Sequence, residues 1–378
     1  MKSHLETIIA RVGTHPDVES GGLSPAIHMA TTFARDNEGQ HPLGYLYSRI
    51  DNPTRKKLEE ALTNMEGGAT SMAFSSGMAA VNALLQSLKH GDRIVLPHDV
   101  YYGVRKLAEE HFARWGLNVA TVDMTDIQAL QEALSVPTEM VWIETPSNPQ
   151  LNITDIQRVS ALAHEAGAIA VVDNTWSTPL VTRPIDLGAD VVLHSITKYF
   201  GGHSDVLGGA LVFRSEDDLS ETIRSIQQSA GAVLDPFSSW LTMRGIRSLG
   251  ARMERQCASA ERIAFFLDSH PLVERVHFPG LPKDPGYVVA KKQMSRFGAM
   301  ISFKVMGTPE QAKMLACKFS LFANATSLGG TESLVEHRAS VEGPYSTTPG
   351  NLLRMSVGLE DVDDLIEDIN QALQSVLA

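Results

Sequence analysis

The feature that most constrains the fold is an alternation, between residues 90 and 215, of short apolar runs with helical patterns. Several runs are almost continuously apolar, as in strands that are buried on both faces of a parallel sheet. This alternation favours right-handed crossovers and a layered α/β domain. The predicted strands are RIVLPH (93–98), LNVATVD (117–123), EMVWIETP (139–146), AIAVVDNT (168–175), DVVLHSI (190–196) and GALVF (209–213).

Two helices in this region have readable ends. Thr154 is predicted to cap a helix over IQRVSALAHEA that stops at Gly167, where a left-handed residue is needed. A shorter helix is predicted from Asp126 to Leu134.

The pattern changes after Pro236. Residues 239–268 predict one long helix or two abutting helices, and strands at 299–305 and 352–359 flank a helix at 308–318. The last helix, DVDDLIEDINQALQSVL, has acids in its first turn and an apolar face. That face carries Val362, Leu365, Ile366, Ile369 and Leu373. We therefore expect a smaller α/β domain packed on a larger one.

The expected division of the chain has three parts. Residues 1–60 are rich in Gly, Pro and His with weak periodicity, which predicts an arm. The large domain would cover residues 61–238 and the C-terminal domain residues 239–378.

Composition excludes several classes of function. The net charge is −12 with acids and bases interspersed, which disfavours a nucleic-acid partner. No stretch approaches the ~20 apolar residues of a membrane helix, and MKSHLETIIARVG lacks the apolar run of a signal peptide. Cys257 and Cys317, the only cysteines, lack metal-binding spacing, and two inert thiols are favoured over one disulfide. We expect a cytoplasmic protein with no membrane partner and no metal site.

Polar residues follow two neighbouring predicted strands. VVDNT ends one strand with Asp173, and VVLHSITK ends the next with Ser195, Thr197 and Lys198. Ligands of α/β sheets gather at the carboxyl ends of strands. A strand-end carboxylate followed by a strand-end lysine is the arrangement that pyridoxal phosphate needs. The lysine amine attaches the cofactor, and the carboxylate keeps the pyridine nitrogen protonated so that the ring accepts electrons.

A phosphate seat is predicted at SSGMAA (75–80). Ser76, Gly77 and Met78 fall at a predicted helix start, where free amides and the helix dipole favour an anion. Ser195 and Thr197 would add hydroxyl donors.

Each of these residues also has an ordinary structural interpretation. A single lysine is usually a solvated surface residue, an aspartate after a strand is usually a cap, and SSG before a helix is usually simple capping. Tyr101, in HDVYYG, could stack on the cofactor ring, but a tyrosine considered by itself is more often an ordinary core or surface residue. Their order and shared position at strand ends favour a cofactor site.

Several longer motifs carry a family resemblance. They are YSRIDNPT (47–54), SSGMAA (75–80), DVYYG (99–103), ETPSNP (144–149), VVDNTWSTP (171–179), HSITKYFGGHSDVLGG (194–209), SLGGTESL (327–334) and LLRMSVGLED (352–361). With these motifs the chain resembles the Cys/Met-metabolism family of pyridoxal-phosphate enzymes, which contains cystathionine γ-synthase, the cystathionine lyases and methionine γ-lyase. The resemblance runs from about residue 8 to the C-terminus, and the segment around Lys198 is its most specific part.

The resemblance implies the fold and the site. The fold would be α/β, a fold type I (aspartate-aminotransferase-like) transferase with a large mixed or parallel sheet in the cofactor domain and a smaller C-terminal α/β domain. Lys198 and Tyr101 would be catalytic, Lys198 as a proton shuttle. Cofactor-binding residues would be Tyr47, Arg49, Ser76, Gly77, Met78, Tyr101, Asp173, Thr175, Ser195, Thr197 and Lys198. Substrate-binding residues would be Asn148, Ser327 and Arg354, the last gripping a carboxylate as a bidentate pair.

The resemblance also implies an assembly. Tyr47 and Arg49 would reach the phosphate of a neighbouring subunit, so that residues 1–60 form an arm that contacts it. An active monomer would then be excluded, and a homotetramer of two catalytic dimers is expected.

The implied reaction is elimination or replacement at the β or γ carbon of a sulfur-containing or O-activated amino acid. A γ-synthase or γ-lyase activity on cystathionine is the leading interpretation, with a cystathionine β-lyase or methionine γ-lyase as alternatives and an aminotransferase as a more distant one. Many γ-synthases and γ-lyases carry an acid where this chain has Thr326. The segment 337–351 is shorter than usual and lacks the family's HxxMTHxx pattern, which indicates a different entrance to the site.

Overall fold

The computed structural model describes residues 3–14, 16–17, 19–342 and 348–377. It contains a seven-stranded sheet and a five-stranded sheet, with helices around both. The predicted fold class is confirmed.

The large sheet combines parallel and antiparallel strands in the order β1-β7-β6-β5-β4-β2-β3. Strands β2 to β6 run parallel to one another, whereas β7 is antiparallel to both β6 and β1. The strands are β1 (Thr70–Phe74), β2 (Arg93–Pro97), β3 (Asn118–Val122), β4 (Met140–Glu144), β5 (Ile169–Asp173), β6 (Val191–Ser195) and β7 (Gly209–Phe213).

All six predicted strands of this region are present, and β1 is an additional one. The sequence of β1, TSMAF, contains Thr and Phe, which favour strands, but it lacks the continuous apolar run that identified most of the other strands. It is a strand because all five of its residues pair in register with β7.

The continuous apolar runs are explained by burial on both faces of this sheet. In β4, Val141 and Ile143 enter one core cluster, while Met140 and Trp142 enter the cluster on the opposite face. Side chains alternate between the two faces of a strand, so every residue of such a strand needs to be apolar.

Helices pack on both faces of the large sheet, and the first of them precede β1 in the chain. They are α1 (Leu5–Ala10), α2 (Pro53–Glu66), α3 (Gly77–Gln86), α4 (Tyr102–Lys106), α5 (Ile127–Leu134), α6 (Ile156–Glu165), α7 (Thr178–Val181) and α8 (Asp218–Ala230). A π-helical turn at Leu107–His111 and 3₁₀ turns at Phe112–Trp115 and Pro184–Leu187 complete this region. The predicted helix after Asp126 is confirmed, as is the left-handed backbone of Gly167, whose φ is +79°.

The predicted cap of α6 is wrong by one residue. Asp155, not Thr154, caps this helix, because its carboxylate accepts a hydrogen bond of 3.0 Å from the Arg158 amide. The backbone of Thr154 is engaged elsewhere: its N–H donates to Thr145 Oγ1, and its carbonyl accepts from Gln293 Nε2.

The C-terminal region forms the second sheet, in the order β10-β11-β12-β9-β8. Its strands are β8 (Val273–His277), β9 (Met300–Val305), β10 (Ala323–Asn324), β11 (Leu334–His337) and β12 (Leu352–Ser356). Its helices are α9 (Pro236–Arg247), α10 (Leu249–Ser269), α11 (Tyr287–Gln293), α12 (Pro309–Leu315), α13 (Arg338–Glu342) and α14 (Val362–Leu377). Of the two alternatives for residues 239–268, two abutting helices are correct, and the predicted β9, β12, α12 and α14 are present.

The division into an arm, a large domain and a C-terminal domain stays a prediction. Helix α2 runs across the expected boundary at residue 60, and α9 runs across the one at residue 238. Within the described ranges, no helix combines the length and apolarity that crossing a bilayer requires.

The packing of β7 against the start of α3 brings that helix to the edge of the sheet. Gly209 pairs with Phe74 of β1 and Ser195 of β6, and a β-carbon at Gly209 would lie 2.2 Å from the carbonyl oxygen of Ser76. Only a glycine leaves room for this contact.

We expect Gly209→Ala to lower the free energy of unfolding by about 1–3 kcal/mol, the usual cost of overpacking, because backbone atoms must move. Gly250→Ala in α10 is the matched control. Its added β-carbon meets nothing within 4 Å, so it should be neutral or stabilise by up to about 1 kcal/mol. Urea unfolding followed by circular dichroism measures both, and equal stabilities would contradict the packing argument.

Candidate active site

A pocket lies at the carboxyl ends of β4, β5 and β6, where the C-terminal region reaches the large sheet. Most of the predicted site residues line it, which the sequence alone could not establish. They are Ser76, Gly77, Met78, Tyr101, Asn148, Asp173, Thr175, Ser195, Thr197, Lys198, Ser327 and Arg354.

Lys198 follows β6 and reaches across to the C-terminal region. Its Nζ donates a hydrogen bond of 2.7 Å to Ser327 Oγ. Burial and, to a smaller extent, the positive charge of Arg354 lower the pKa of the Lys198 amine to about 8, although the negative charge of Glu336 opposes the shift. The amine is therefore available as an uncharged nucleophile or base close to neutral pH.

Asp173, the last residue of β5, is held by its neighbour Thr175. The Asp173 carboxylate accepts a 3.0 Å hydrogen bond from the Thr175 amide, while Thr175 Oγ1 accepts one of 2.8 Å from the Ser195 amide. Burial raises the pKa of Asp173, and the hydrogen bonds from Thr175 counteract that rise. These contacts tie the ends of β5 and β6 together and stabilise a carboxylate facing the pocket.

The start of α3 provides an anion seat. Ser76 caps the helix, its Oγ accepting from the Ala79 amide at 3.0 Å, and the first amides, those of Gly77 and Met78, have no acceptor within a helix. A β-carbon on Gly77 would lie 3.3 Å from the Cβ and Oγ of Ser195, so the helix start and the end of β6 are in close contact. The predicted helix start is confirmed.

Tyr101 lies in the connection between β2 and α4. Its amide donates a 2.8 Å hydrogen bond to Glu144 Oε2, and its ring meets that of Tyr102 edge to face at 5.7 Å between centroids. Burial raises the pKa of its hydroxyl, so Tyr101 enters the pocket as a neutral aromatic ring.

Arg354, on β12, is buried and fixed from several sides. Its Nη1 donates to Asn148 Oδ1 at 2.8 Å, its Nη2 donates to the Ser327 carbonyl at 3.2 Å, and it pairs with Glu336. The guanidinium also lies 5.7 Å from the centre of the Trp176 ring. Although burial lowers its pKa to about 10, Arg354 stays positively charged at neutral pH.

Tyr47 and Arg49 lie outside the pocket that the described residues form. Tyr47 is 42% exposed, and the guanidinium carbon of Arg49 lies 5.8 Å from its ring centre. Arg49 donates to the carbonyl of Gln228 within the same chain. Their role toward a neighbouring subunit stays a prediction.

Sequence reasoning missed several pocket residues. Glu144 ends β4 just as Asp173 ends β5, so the rule that selected Asp173 could have found it. Arg338 and its partner Glu336 depend on β11, which the sequence did not predict. Thr326 lines the pocket, as expected, but residues 343–347 of the segment 337–351 lie outside the described residues.

Comparison with known proteins assigns this site to a family. The profile of the family described as "Cys/Met metabolism PLP-dependent enzyme" matches residues 6–374. The chain belongs to this family.

Individual members differ in the reaction for which they are named. The chain is 44% identical to the cystathionine γ-synthase of Mycobacterium tuberculosis, over 96% of this chain and 94% of that protein. It is 41% identical to the cystathionine β-lyase of Coxiella burnetii, over 98% of both chains. The crystal structure of metB from Corynebacterium glutamicum superposes with a TM-score of 0.96 at 42% identity, covering 99% of this chain and 98% of that one.

Members of the Cys/Met metabolism family use pyridoxal phosphate, and the pocket suits that cofactor. An amine with a depressed pKa at Lys198 suits covalent attachment, and the helix start at Gly77 suits a phosphate. The half-buried Asp173 carboxylate suits a protonated pyridine nitrogen. The protein is a pyridoxal-phosphate-dependent enzyme.

The depressed pKa of Lys198 predicts how its reactivity depends on pH. In the full chain freed of cofactor, the rate of Lys198 acylation should rise about tenfold per pH unit below pH 8 and level off above it, since only the uncharged amine reacts. Peptide mass spectrometry measures the rate, with a free lysine derivative as reference.

The control for this titration is Arg354→Gln. Removing the Arg354 charge should move the midpoint to higher pH, because that charge favours the neutral amine. A midpoint near 10.5 in the unaltered protein, the ordinary value for lysine, would contradict the depressed pKa.

Proposed function

We propose that the protein catalyses elimination or replacement at the β or γ carbon of a sulfur-containing or O-activated amino acid, in the manner of a cystathionine γ-synthase or γ-lyase. The observation that carries this proposal is that the Lys198 amine, the Asp173 carboxylate and the Arg354 guanidinium line one pocket. The similarity to family members named for cystathionine supports it.

The cofactor-binding roles are proposed for the residues that the pocket brings together. Lys198 would attach the cofactor, Asp173 would face the pyridine nitrogen, and Tyr101 would pack on the ring. The phosphate would be held at the start of α3 and the end of β6 by Ser76, Gly77, Met78, Ser195 and Thr197. When bound, pyridoxal phosphate supplies an electron sink for the charge that is left when the bond between Cα and its hydrogen breaks.

Lys198 is the proposed proton carrier. Because its pKa is near 8, both the charged and the uncharged forms are populated near neutral pH, so Nζ can accept a proton from Cα and later return one. The hydrogen bond to Ser327 Oγ orients Nζ, and burial limits access of water that would compete for the proton.

Arg354 and Asn148 are proposed to bind the substrate carboxylate. Asn148, Glu336 and the Ser327 carbonyl hold the guanidinium before substrate arrives, so little side-chain entropy is lost on binding. A carboxylate at Arg354 would place the amino end of the substrate toward Lys198, since Ser327 contacts both side chains.

Thr326 favours a second candidate function. It lines the pocket where many γ-synthases and γ-lyases carry an acid, and a hydroxyl cannot form an ion pair with the distal ammonium group of cystathionine. A carbon–sulfur lyase of the cystathionine β-lyase or methionine γ-lyase type is therefore the alternative.

Product identification distinguishes these reactions. We expect the cofactor-loaded enzyme to form 2-oxobutyrate from cystathionine, or cystathionine from cysteine and an O-acyl-homoserine. Pyruvate from cystathionine would assign a β-lyase, and 2-oxobutyrate from methionine or homocysteine would assign the γ-lyase alternative. Chromatography of the products gives the answer, with Lys198→Ala as the control that should lose nearly all turnover.

Two results would contradict the proposed reaction class. Retained turnover in Lys198→Ala would remove the proton carrier. An oxo acid formed only in amounts equal to the enzyme, with turnover restored by a second oxo acid, would indicate an aminotransferase.

We also propose that the enzyme assembles as a homotetramer of two catalytic dimers. Tyr47 and Arg49 precede α2 and lie outside their own chain's pocket, and they would complete the site of a neighbouring subunit once Arg49 leaves the Gln228 carbonyl. Each pocket would then depend on two chains.

Mixing variants tests this assembly. Arg49→Ala and Lys198→Ala should each be nearly inactive alone, but subunit exchange between them should restore activity, because some sites then combine two unaltered residues. Each variant incubated alone is the control. Absence of restored activity after exchange, verified with subunits of different mass, would contradict a shared site.

We place the enzyme in the cytoplasm. Burial raises the pKa of the Cys257 thiol to about 12, which makes it unreactive, and Cys317 is an exposed free thiol that suits a reducing compartment. Recovery of the enzyme in a membrane or secreted fraction of its cells would contradict this location.

A further inference from the structure

Two acidic residues lie side by side at the edge of the sheet that borders the pocket. Glu144 ends β4, Asp173 ends β5, and the two residues are direct partners in the parallel register. Both side chains line the same pocket. Since neighbouring strands lie about 4.8 Å apart and partner side chains point to the same face, the carboxyl groups are neighbours.

The surroundings of the two carboxyl groups differ. Glu144 is 4% exposed and accepts one hydrogen bond, from the Tyr101 amide at 2.8 Å. The negative charges of Asp173 and Asp99 lie near the Glu144 carboxyl group and disfavour its ionised form. The positive charge of Arg338 favours that form.

Asp173 is in a setting that stabilises a negative charge better. It accepts hydrogen bonds from both the amide and the hydroxyl of Thr175, and His194 on β6 is the nearby group that favours its ionised form. The Thr175 hydroxyl oxygen accepts in turn from the Ser195 amide, which holds it in place.

Two adjacent carboxylates in a buried site cannot both ionise without a large electrostatic cost, so one retains a proton. Burial and the charge of Asp173 raise the pKa of Glu144 well above its usual range, whereas the Thr175 hydrogen bonds and His194 oppose the rise at Asp173. The hydrogen-bond pattern and the charges therefore place the proton on Glu144.

We propose that Glu144 and Asp173 form a one-proton pair in which Glu144 is the neutral acid and Asp173 carries the single negative charge. Glu144 is then a positioning residue. It holds the Tyr101 backbone through Oε2 and leaves Asp173 charged. This proposal rests on the proposed role of Asp173 as the partner of the cofactor nitrogen.

Infrared difference spectroscopy of the full chain, freed of cofactor, tests the protonation state directly. The wild-type spectrum at neutral pH should contain the carbonyl stretch of a protonated carboxylic acid, and Glu144→Gln should lack it. Asp173→Asn should keep it, because burial, the largest cause of the raised pKa of Glu144, remains. If the band is absent from the wild type, or persists in Glu144→Gln, the assignment of the proton to Glu144 is overturned.

Cofactor affinity gives a second measurement. Asp173→Asn removes the charge, so its cofactor dissociation constant should increase by more than tenfold. Glu144→Gln keeps a neutral side chain with an oxygen for the Tyr101 amide, so its constant should change less than threefold. Glu144→Ala removes that oxygen and should bind more weakly than Glu144→Gln. If Glu144→Gln weakens cofactor binding more than Asp173→Asn does, the negative charge lies on Glu144 and the proposal is overturned.

The design separates this proposal from the proposed reaction. The infrared band is measured without cofactor or substrate. It therefore determines the protonation state of Glu144 even if the proposed reaction is wrong. Thermal unfolding establishes that each variant is folded. If Glu144→Gln does not fold, Glu144→Asp replaces it and should shift the carboxylic-acid band; an unshifted band would belong to another residue and overturn the proposal.

Discussion

The arrangement of parallel strands whose carboxyl ends meet at one edge determines the rest of the site. β4, β5 and β6 end at Glu144, Asp173 and Ser195, which are successive in space although they are separated in the sequence. Side chains that follow these strands face the same cavity, in agreement with the general location of ligands in α/β sheets. Antiparallel β7 lies between β6 and β1 and packs on the start of α3, which brings helix amides to the same edge.

Burial gives these groups their chemistry. A solvated lysine would be charged at neutral pH, but Lys198 is shielded from water and lies near the Arg354 charge. Glu336 limits how far the arginine charges lower the pKa of Lys198, because it forms ion pairs with both Arg354 and Arg338. The charges of the C-terminal region therefore act on a lysine of the large sheet, and the Lys198–Ser327 hydrogen bond joins the two regions physically.

The family is settled more firmly than the reaction. Members named for γ-synthase and β-lyase activities share 41–44% identity with this chain over nearly its whole length. The proposed cofactor roles of Lys198, Asp173 and the phosphate seat would serve any of these reactions equally. We propose that selection between the β and γ carbons depends instead on contacts with the distal part of the substrate, for which Thr326 in the pocket is a candidate.

The sequence by itself determined the strands of the large sheet and the Asp173–Lys198 pair. Apolar runs buried on both faces and strand-end polar residues are local signals, which need no knowledge of distant contacts. The tertiary structure decided what depends on pairing between distant segments. β1 pairs with β7, Arg338 reaches the pocket at the end of β11, and the Thr154 backbone bonds to Thr145 and Gln293 while Asp155 caps α6. The side-by-side position of Glu144 and Asp173 follows from strand register, which no single stretch of sequence specifies.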